Sequence, residues 1–329
     1  MHELPRQLVH PMYYDRRIDE VLARTIEPGE ALSWLMDHVR SREGADRHAH
    51  IQFRRNRRDR RLGSIQLYWG RTSPLEFKLR HGSQVRLNAD STYKAESAHL
   101  FLRTVPIDRL DQIEDELRSH LVRIGNLLDR SPKRRQSFVK REAVCHAGLM
   151  RRYGHGWRSG DPLVMIDSEA QIGYGDGSRR DADDVETREQ LQLRRSETIP
   201  RKLDGLGVLA AGELVLVEVK DAQGSLDRAI VQAAAHMDRY SRLLALGNAR
   251  DTIQAMIDQK TAAGLIPRCC PRLDDSPRIV PCIAAPVDPS GWPANWRRAI
   301  DSCSREMKIL LRDVLLIRLD RAGSIVDLR

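Results

Sequence analysis

One stretch of the sequence, residues 202–220, limits the fold more tightly than any other. It reads KLDGLGVLAAGELVLVEVK. Residues 213–220 are rich in Val and Leu, which is typical of a buried strand, and residues 203–209 predict a shorter strand interrupted by glycines. The intervening Ala-Ala-Gly at 210–212 predicts a three-residue hairpin loop, with glycine at the position that takes a positive φ.

The length of that loop fixes the pairing register of the two strands. If Leu209 faces Glu213, then Asp204 falls directly across from Glu218. Opposed side chains project from one face of a sheet about 5 Å apart, and Lys220 shares that face because side chains alternate along a strand. Two adjacent carboxylates repel each other unless a cation lies between them. The hairpin therefore predicts a site for a hard divalent cation, although a Glu-x-Lys triplet by itself is better explained by an exposed strand.

The combination of this hairpin with a following helix resembles the PD-(D/E)XK nuclease superfamily. The resemblance spans roughly residues 136–319. It implies an α/β fold, with a restriction-endonuclease-like C-terminal domain whose mixed central sheet is flanked by helices. It also implies that Asp204, Glu218 and the main-chain carbonyl of Val219 hold Mg²⁺ or Mn²⁺, and that Lys220 is the catalytic lysine.

The same resemblance assigns two further residues. Gln232, in the first turns of a helix predicted from Ser225 to about Leu246, matches the motif glutamine of the RecB-like branch, which includes the EndoMS/NucS mismatch endonucleases. That branch commonly has a tyrosine four residues later, whereas this chain has His236 there and Tyr240 one turn beyond. Family members often add a glutamate from the helix before the hairpin. Glu142 is the candidate here, and an ordinary surface carboxylate is the alternative interpretation.

Residues 1–130 predict a β-rich N-terminal domain. Helical spacing in the first fifty residues gives way to alternation of apolar and polar residues at about 50–103, which predicts an antiparallel sheet with one buried face. Residues 107–129 predict a long amphipathic connecting helix, which either packs on its own chain or pairs with a second copy as a coiled-coil homodimer. The sequence SPKRR at 131–135 breaks this pattern, so the predicted nuclease domain is 131–329.

Between the first two predicted strands, six arginines lie within eight residues, RRNRRDRR at 54–61. At a hairpin tip they would contact nucleic-acid phosphates, because guanidinium groups pair well with phosphate oxygens. A solvated loop is an equally good interpretation. These candidate nucleic-acid-binding residues are Arg54, Arg55, Arg57, Arg58, Arg60 and Arg61.

The charge of the chain favours a polyanionic partner. Lys and Arg number 55 and Asp and Glu 46, a net charge of +9, which attracts nucleic acid at long range. No apolar run approaches the roughly 18 residues that a membrane span needs, and the start has no signal-peptide core. We therefore expect a cytoplasmic protein that does not associate with membranes.

These observations lead to one expected function and one alternative. The expected function is a Mg²⁺- or Mn²⁺-dependent nuclease, acting on DNA rather than RNA and as an endonuclease rather than an exonuclease. DNA repair, restriction or anti-phage defence would suit such a module, with a helicase or another protein of the same system as a partner. The alternative is a non-catalytic nucleic-acid-binding or assembly subunit that keeps the nuclease fold.

Overall fold

Two large β-sheets, each packed against helices, carry most of the secondary structure of this protein. A computed structural model describes residues 12–41, 49–55, 63–70, 72–81, 83–93, 98–99, 103–130, 141–175, 177–220, 226–286, 294–320 and 323–328. The strands are β1 (Met12–Tyr13), β2 (Ala49–Arg55), β3 (Gly63–Trp69), β4 (Thr72–Arg80), β5 (Gln84–Asn88), β6 (Thr104–Pro106), β7 (Leu163–Ala170), β8 (Gly173–Tyr174), β9 (Leu203–Leu209), β10 (Leu214–Val219), β11 (Ile279–Pro286), β12 (Leu315–Leu319) and β13 (Ile325–Leu328). The helices are α1 (Glu20–Arg24), α2 (Trp34–Ser41), α3 (Glu114–Arg130), α4 (Arg141–Met150), α5 (Gly177–Gln190), α6 (Leu226–Leu244), α7 (Ala249–Ala262), α8 (Ala294–Asp301) and α9 (Arg305–Leu310).

Six strands of the C-terminal half form one mixed sheet in the order β13-β12-β11-β10-β9-β7. β7, β9 and β10 are successive antiparallel neighbours, and β11 and β12 continue the sheet parallel to β10. Because side chains alternate along a strand, Leu214 and Leu216 of β10 enter the apolar layer that contains α6, while Val215 and Val217 enter the layer that contains α4. The predicted mixed α/β class is therefore confirmed.

The β9–β10 hairpin has the register that its loop length predicts. Val208 pairs with Leu214, and the N–H of Leu209 donates to the main-chain oxygen of Glu213 over 3.0 Å. Gly212 has a φ of +83°, as the loop requires of its glycine. The position of the site residues is thus set by a short-range feature of the sequence.

Several elements of the C-terminal half were not predicted. β7 and α5 lie between α4 and the hairpin, and α7 and β13 are additional elements. The apolar run of β7 is only four residues, Leu163 to Ile166, before the polar Asp167, Ser168 and Glu169. These polar residues are largely buried by partners distant in sequence, which a local pattern does not reveal. Near the C-terminal end, α8 and α9 are separate helices, because Ser304 caps the second one by accepting from the N–H of Met307.

The antiparallel N-terminal sheet is confirmed, in the order β2-β3-β4-β5-β6. Its inner face carries fully buried apolar side chains such as Phe53, Ile65, Phe77 and Val85. The residues expected to form its last strand, near 100–102, lie outside the described part of the chain, and β6 begins at Thr104.

The amphipathic helix expected at 107–129 is an α-helix only from Glu114, after two short 3-10 turns. Its apolar stripe, including Leu110, Leu117, Leu121 and Ile124, is fully buried in the core of the N-terminal sheet. This burial supports the interpretation that the helix packs on its own chain, since the stripe that a coiled coil would use is already covered.

The two halves of the chain meet closely. The boundary predicted near 131 falls in residues 131–140, outside the described ranges, and Ala263 and Leu265 of the C-terminal half join the N-terminal core. The short β1 pairs with β8, so the N-terminal segment also contacts the C-terminal half. Within the described residues, no helix is both long enough and apolar enough to span a membrane.

Replacing Gly212 by alanine should destabilise the protein. A Cβ there would lie 2.8 Å from the main-chain oxygen of Arg272, on a backbone with positive φ. The left-handed conformation alone costs roughly 1–2 kcal/mol for a residue with a Cβ, and the clash adds to it. The free energy of unfolding, measured by urea denaturation, should fall by at least that amount. Gly247→Ala is the control, because its Cβ would meet nothing within 4 Å; equal losses in both variants would contradict the proposed strain.

Candidate functional site

Asp204, Glu218 and Lys220 come together where the β9–β10 hairpin ends. Asp204 is the second residue of β9, Glu218 lies near the end of β10, and Lys220 follows directly. The Lys220 Nζ lies 3.0 Å from Glu218 Oε2 and 3.6 Å from Asp204 Oδ2. The two carboxylates therefore converge on one ammonium group, on one face of the sheet, as the register predicts.

Asp204 is oriented by the strand beside it. The β9–β10 ladder ends at the pair of Gly205 and Val217, and one step further the N–H of Val219 donates to Asp204 Oδ2 over 2.9 Å. The main-chain oxygen of Asp204 lies 2.5 Å from Nε2 of His146 on α4. Both the side chain and the backbone of Asp204 are thus held from neighbouring elements.

Glu218 is held from both sides. Its Oε1 lies 3.0 Å from Nε2 of His236 on α6, while Oε2 faces Lys220. Burial by itself would raise the pKa of Glu218, but the hydrogen bond and charge of His236, together with Lys220, outweigh it and lower that pKa. The same His236 nitrogen is 3.2 Å from the main-chain oxygen of Lys202. Since both oxygens are acceptors, Nε2 carries a proton and donates.

The site is closed at one carboxylate and open at the other. The side chain of Glu218 is 2% exposed, that of Lys220 13% and that of Asp204 24%. A molecule approaching from solvent would therefore meet Asp204 and Lys220 first.

Two other predicted residues are not part of this contact set. Gln232 lies in α6, one turn before His236, and within the described residues its enclosed side-chain oxygen accepts no hydrogen bond. Glu142 is the second residue of α4, and its side chain lies outside the described part of the chain. His236, which contacts Glu218, was noted in the sequence only as the residue four positions after Gln232.

A third carboxylate, Glu169, lies on β7 beside β9. Its backbone has a φ of +48°, which is unusual for a residue with a side chain. Lys202 Nζ is 3.2 Å and an Arg54 nitrogen 3.8 Å from Glu169 Oε2. Burial raises the pKa of Glu169, but the charges of Arg54 and Lys202 lower it further than burial raises it. Glu169 is thus paired with cations of its own.

Arg54, the first of the predicted phosphate-binding arginines, points into the protein. Its side chain is 11% exposed, it donates to the main-chain oxygen of Ser168 over 2.8 Å, and it lies 3.6 Å from Asp167 Oδ1. Arg55 forms an ion pair with Asp15. The structure therefore corrects the expectation for Arg54, because its guanidinium is engaged inside the protein. Arg57, Arg58, Arg60 and Arg61 lie outside the described residues.

Asp167 is the centre of a buried ionic cluster. It is fully buried, with Lys260 Nζ at 3.2 Å, Arg16 Nε at 3.5 Å and Arg54 at 3.6 Å, and the hydroxyl of Tyr14 donates to it. Burial raises the pKa of Asp167, but these cations and the hydrogen bond lower it to about 2. The cluster joins the N-terminal segment, β2, β7 and α7.

The donor set of the hairpin suits a hard divalent cation that takes part of its coordination from elsewhere. Asp204 and Glu218 offer carboxylate oxygens close to the main chain of Val219, and Mg²⁺ is usually held by one or two carboxylates together with water and substrate phosphate. Within the described ranges, no three His, Cys, Asp or Glu side chains are grouped to hold a metal by themselves. A metal bound here would therefore need ligands from water or substrate, and it would compete with Lys220 for the two carboxylates.

Comparison with known proteins adds no assignment: no protein-family model, no curated protein and no solved structure matches this chain.

Removing the donor at His236 should destabilise the protein through Glu218. His236→Leu leaves a buried carboxylate oxygen without its donor, at a cost of roughly 1–3 kcal/mol, or more because the acceptor is charged. His236→Gln keeps an N–H donor and should lose less. The free energy of unfolding measured at pH 7 in urea checks this order. Equal losses in both variants would mean that packing, and not the hydrogen bond, is what His236 contributes.

Neutralising Asp167 should have a larger effect. Asp167→Asn leaves Lys260, Arg16 and Arg54 buried without their shared anion, and breaking such a cluster costs about 3–5 kcal/mol. Because the folded-state pKa is below the unfolded value, this contribution is present at neutral pH and is lost as the pH falls toward about 2. Stability curves from pH 7 to pH 2 should therefore converge for wild type and variant. The exposed Asp251→Asn is the control, and parallel curves would contradict the assignment.

Proposed function

We propose that this protein is a nuclease that hydrolyses phosphodiester bonds of nucleic acid with the help of Mg²⁺ or Mn²⁺. The observation that carries the proposal is the convergence of Asp204 and Glu218 on Lys220 at the end of the β9–β10 hairpin. Carboxylates brought together in this way are suited to a divalent cation, and an adjacent ammonium is suited to a phosphate oxygen or an attacking water.

The order of the surrounding elements supports a restriction-endonuclease-like fold. α4 is followed by the antiparallel strands β7, β9 and β10, then by α6, and then by β11 parallel to β10. The resemblance to the PD-(D/E)XK superfamily implies this arrangement: a helix, a hairpin bearing Asp and Glu-x-Lys, a second helix and further strands. Helices α4 and α6 lie in different apolar layers of the sheet, as that fold requires.

Each residue then has a defined role. Asp204, Glu218 and the carbonyl of Val219 would hold the cation, which when bound would polarise the scissile phosphate and acidify a bound water. Lys220 would leave its carboxylate partners and orient the attacking water or hold a phosphate oxygen. The N–H of Val219 keeps Asp204 in position, and His236 keeps Glu218 in position. Gln232 lies one turn from His236, where it can approach substrate.

The substrate we propose is DNA, which the protein would cleave internally. The process would be a cytoplasmic one such as repair, restriction or anti-phage defence, with a helicase or another protein of the same system as a partner.

One observation favours the alternative of a non-catalytic nucleic-acid-binding or assembly subunit. Lys220 Nζ lies within ion-pair distance of both carboxylates, so it neutralises part of the charge that would attract a metal ion. In the nuclease, a metal ion would displace Lys220 from the two carboxylates, whereas in the non-catalytic subunit Lys220 would stay paired with them.

A cleavage assay tests the proposal. Single-stranded, duplex and branched DNA are incubated with the protein and Mg²⁺, Mn²⁺ or EDTA. Asp204→Ala and Lys220→Ala should each lower the rate at least about a hundredfold, because each removes several kcal/mol of transition-state stabilisation. Asp251→Ala, an exposed aspartate on α7, should cleave like wild type.

Two results would contradict the proposal. Cleavage that survives both site substitutions would remove the hairpin from the mechanism. Binding of DNA without cleavage by wild type under every metal condition would favour the non-catalytic subunit. Titration of Mn²⁺ into DNA-free protein gives a second readout, since Asp204→Ala should weaken metal binding whether or not a substrate has been found.

A further inference from the structure

The outer face of the N-terminal sheet carries an aligned row of polar and basic residues. The strand register pairs Ser64 with both Arg54 and Lys78, Lys78 with Arg86, and Arg86 with Thr104. Directly paired residues project from the same face, so this row crosses all five strands. The alternate residues of the same strands are the buried apolar core, which places the row on the opposite side of the sheet.

Two cations of this row lie directly opposite each other. Lys78 and Arg86 are both partly exposed, and across an antiparallel pair their Cβ atoms are about 5 Å apart. Neither has an ion pair or hydrogen bond to any described residue. Arg80, two residues along β4, shares the face and is likewise unpaired within the described ranges. We call Lys78, Arg80 and Arg86 the basic sheet face.

The described carboxylate nearest to this pair in the strand register is held by neutral partners. On this face of strands β2 to β6, the acidic side chain among the described residues is Glu76. Its two oxygens accept from Gln66 Nε2 at 2.7 Å and from Asn88 Nδ2 at 3.0 Å. Like charges directly opposite on a sheet are destabilising, so an anion from outside the chain would stabilise the arrangement of Lys78 and Arg86.

The β2 end of the N-terminal sheet contacts the element that holds Asp204. His50 pairs with Tyr68 on this face, and their rings stack with centroids 5.2 Å apart. The His50 ring is also 6.1 Å from that of His146, whose Nε2 contacts the main-chain oxygen of Asp204. His50 and His146 are both buried, so these rings connect the polar face of the N-terminal sheet to the backbone of Asp204 through the interior of the protein.

We propose that the basic sheet face binds the phosphate backbone of the nucleic acid on which the hairpin site acts; this inference rests on the proposed function. Lys and Arg side chains on a flat sheet give sequence-independent attraction to phosphates. Tyr68 is not free to stack on a base, because His50 covers its ring and the guanidinium of Arg54 lies 5.2 Å from the ring centroid. The face therefore reads the backbone and not the bases.

The test measures binding apart from cleavage. The double variant Lys78→Gln, Arg86→Gln is compared with wild type in EDTA, by fluorescence anisotropy of a labelled duplex DNA, the same single strand and an RNA strand. The control Arg305→Gln, Lys308→Gln also removes one Arg and one Lys, both exposed on α9 and unpaired within the described residues.

The result expected is a change in salt dependence. Losing two phosphate contacts should reduce the slope of log K against log salt concentration by about 1.4 to 1.8, and affinity at 50 mM salt by tenfold or more. The control pair should bind like wild type. The melting temperature of the Lys78, Arg86 variant should stay the same or rise, because the substitutions remove a like-charge pair.

Defined results overturn the inference. An unchanged slope and affinity in the double variant would do so, as would wild type that binds polyglutamate but none of the three nucleic acids. If the melting temperature of the double variant falls, a second double variant, Lys78→Arg, Arg86→Lys, is measured, because it keeps both charges. Binding as strong as that of wild type would support the basic sheet face. Binding as weak as that of the first double variant would overturn it. Normal binding without cleavage contradicts only the proposed nuclease, whereas cleavage with unchanged binding in the double variant contradicts only the basic sheet face.

Discussion

The carboxylate of Asp167 joins parts of the chain that are far apart in sequence. Lys260 from α7, Arg16 from the N-terminal segment and Arg54 from β2 all surround it, and Lys260 also donates to the Ile166 carbonyl. Replacing a buried ionic cluster with apolar residues often costs nothing, but removing one member is expensive. The cluster therefore acts less as a source of stability than as a constraint on how the N-terminal sheet lies against β7, which is the edge beside β9.

That constraint has consequences for the candidate site. β9 lies between β7 and β10, so the position of Asp204 depends on both neighbours. The hairpin itself brings Asp204, Glu218 and Lys220 together, yet the contacts around them come from elsewhere: His146 from α4, His236 from α6 and, behind His146, His50 from β2. The three charged residues of the site are therefore close together in the sequence, whereas the residues that orient them come from distant parts of the chain.

This division explains what could be predicted from the sequence. The loop at 210–212 fixes a register within nineteen residues, so the hairpin and the meeting of its three charged side chains followed from local rules. The antiparallel N-terminal sheet followed from alternation in the same way. β7 did not, because its polar half becomes buried only through partners such as Tyr14, 153 residues away. His236 was visible by spacing, but its contact with Glu218 required the packing of α6 on the sheet.

The arginines at 54–61 show that local sequence is also a poor guide to which charges are available to bind a partner. The densest basic run suggested a phosphate-binding tip, but its first member, Arg54, serves the Asp167 cluster and Arg55 pairs with Asp15. Lys78 and Arg86 have no partner among the described residues; they are eight residues apart in the sequence, and the β4–β5 register places them opposite each other. The free energy available to bind an anion comes from charge that the fold leaves uncompensated. The number of basic residues in a stretch of sequence does not give this uncompensated charge. It is found only by asking which of those residues have acidic or hydrogen-bonding partners in the folded protein.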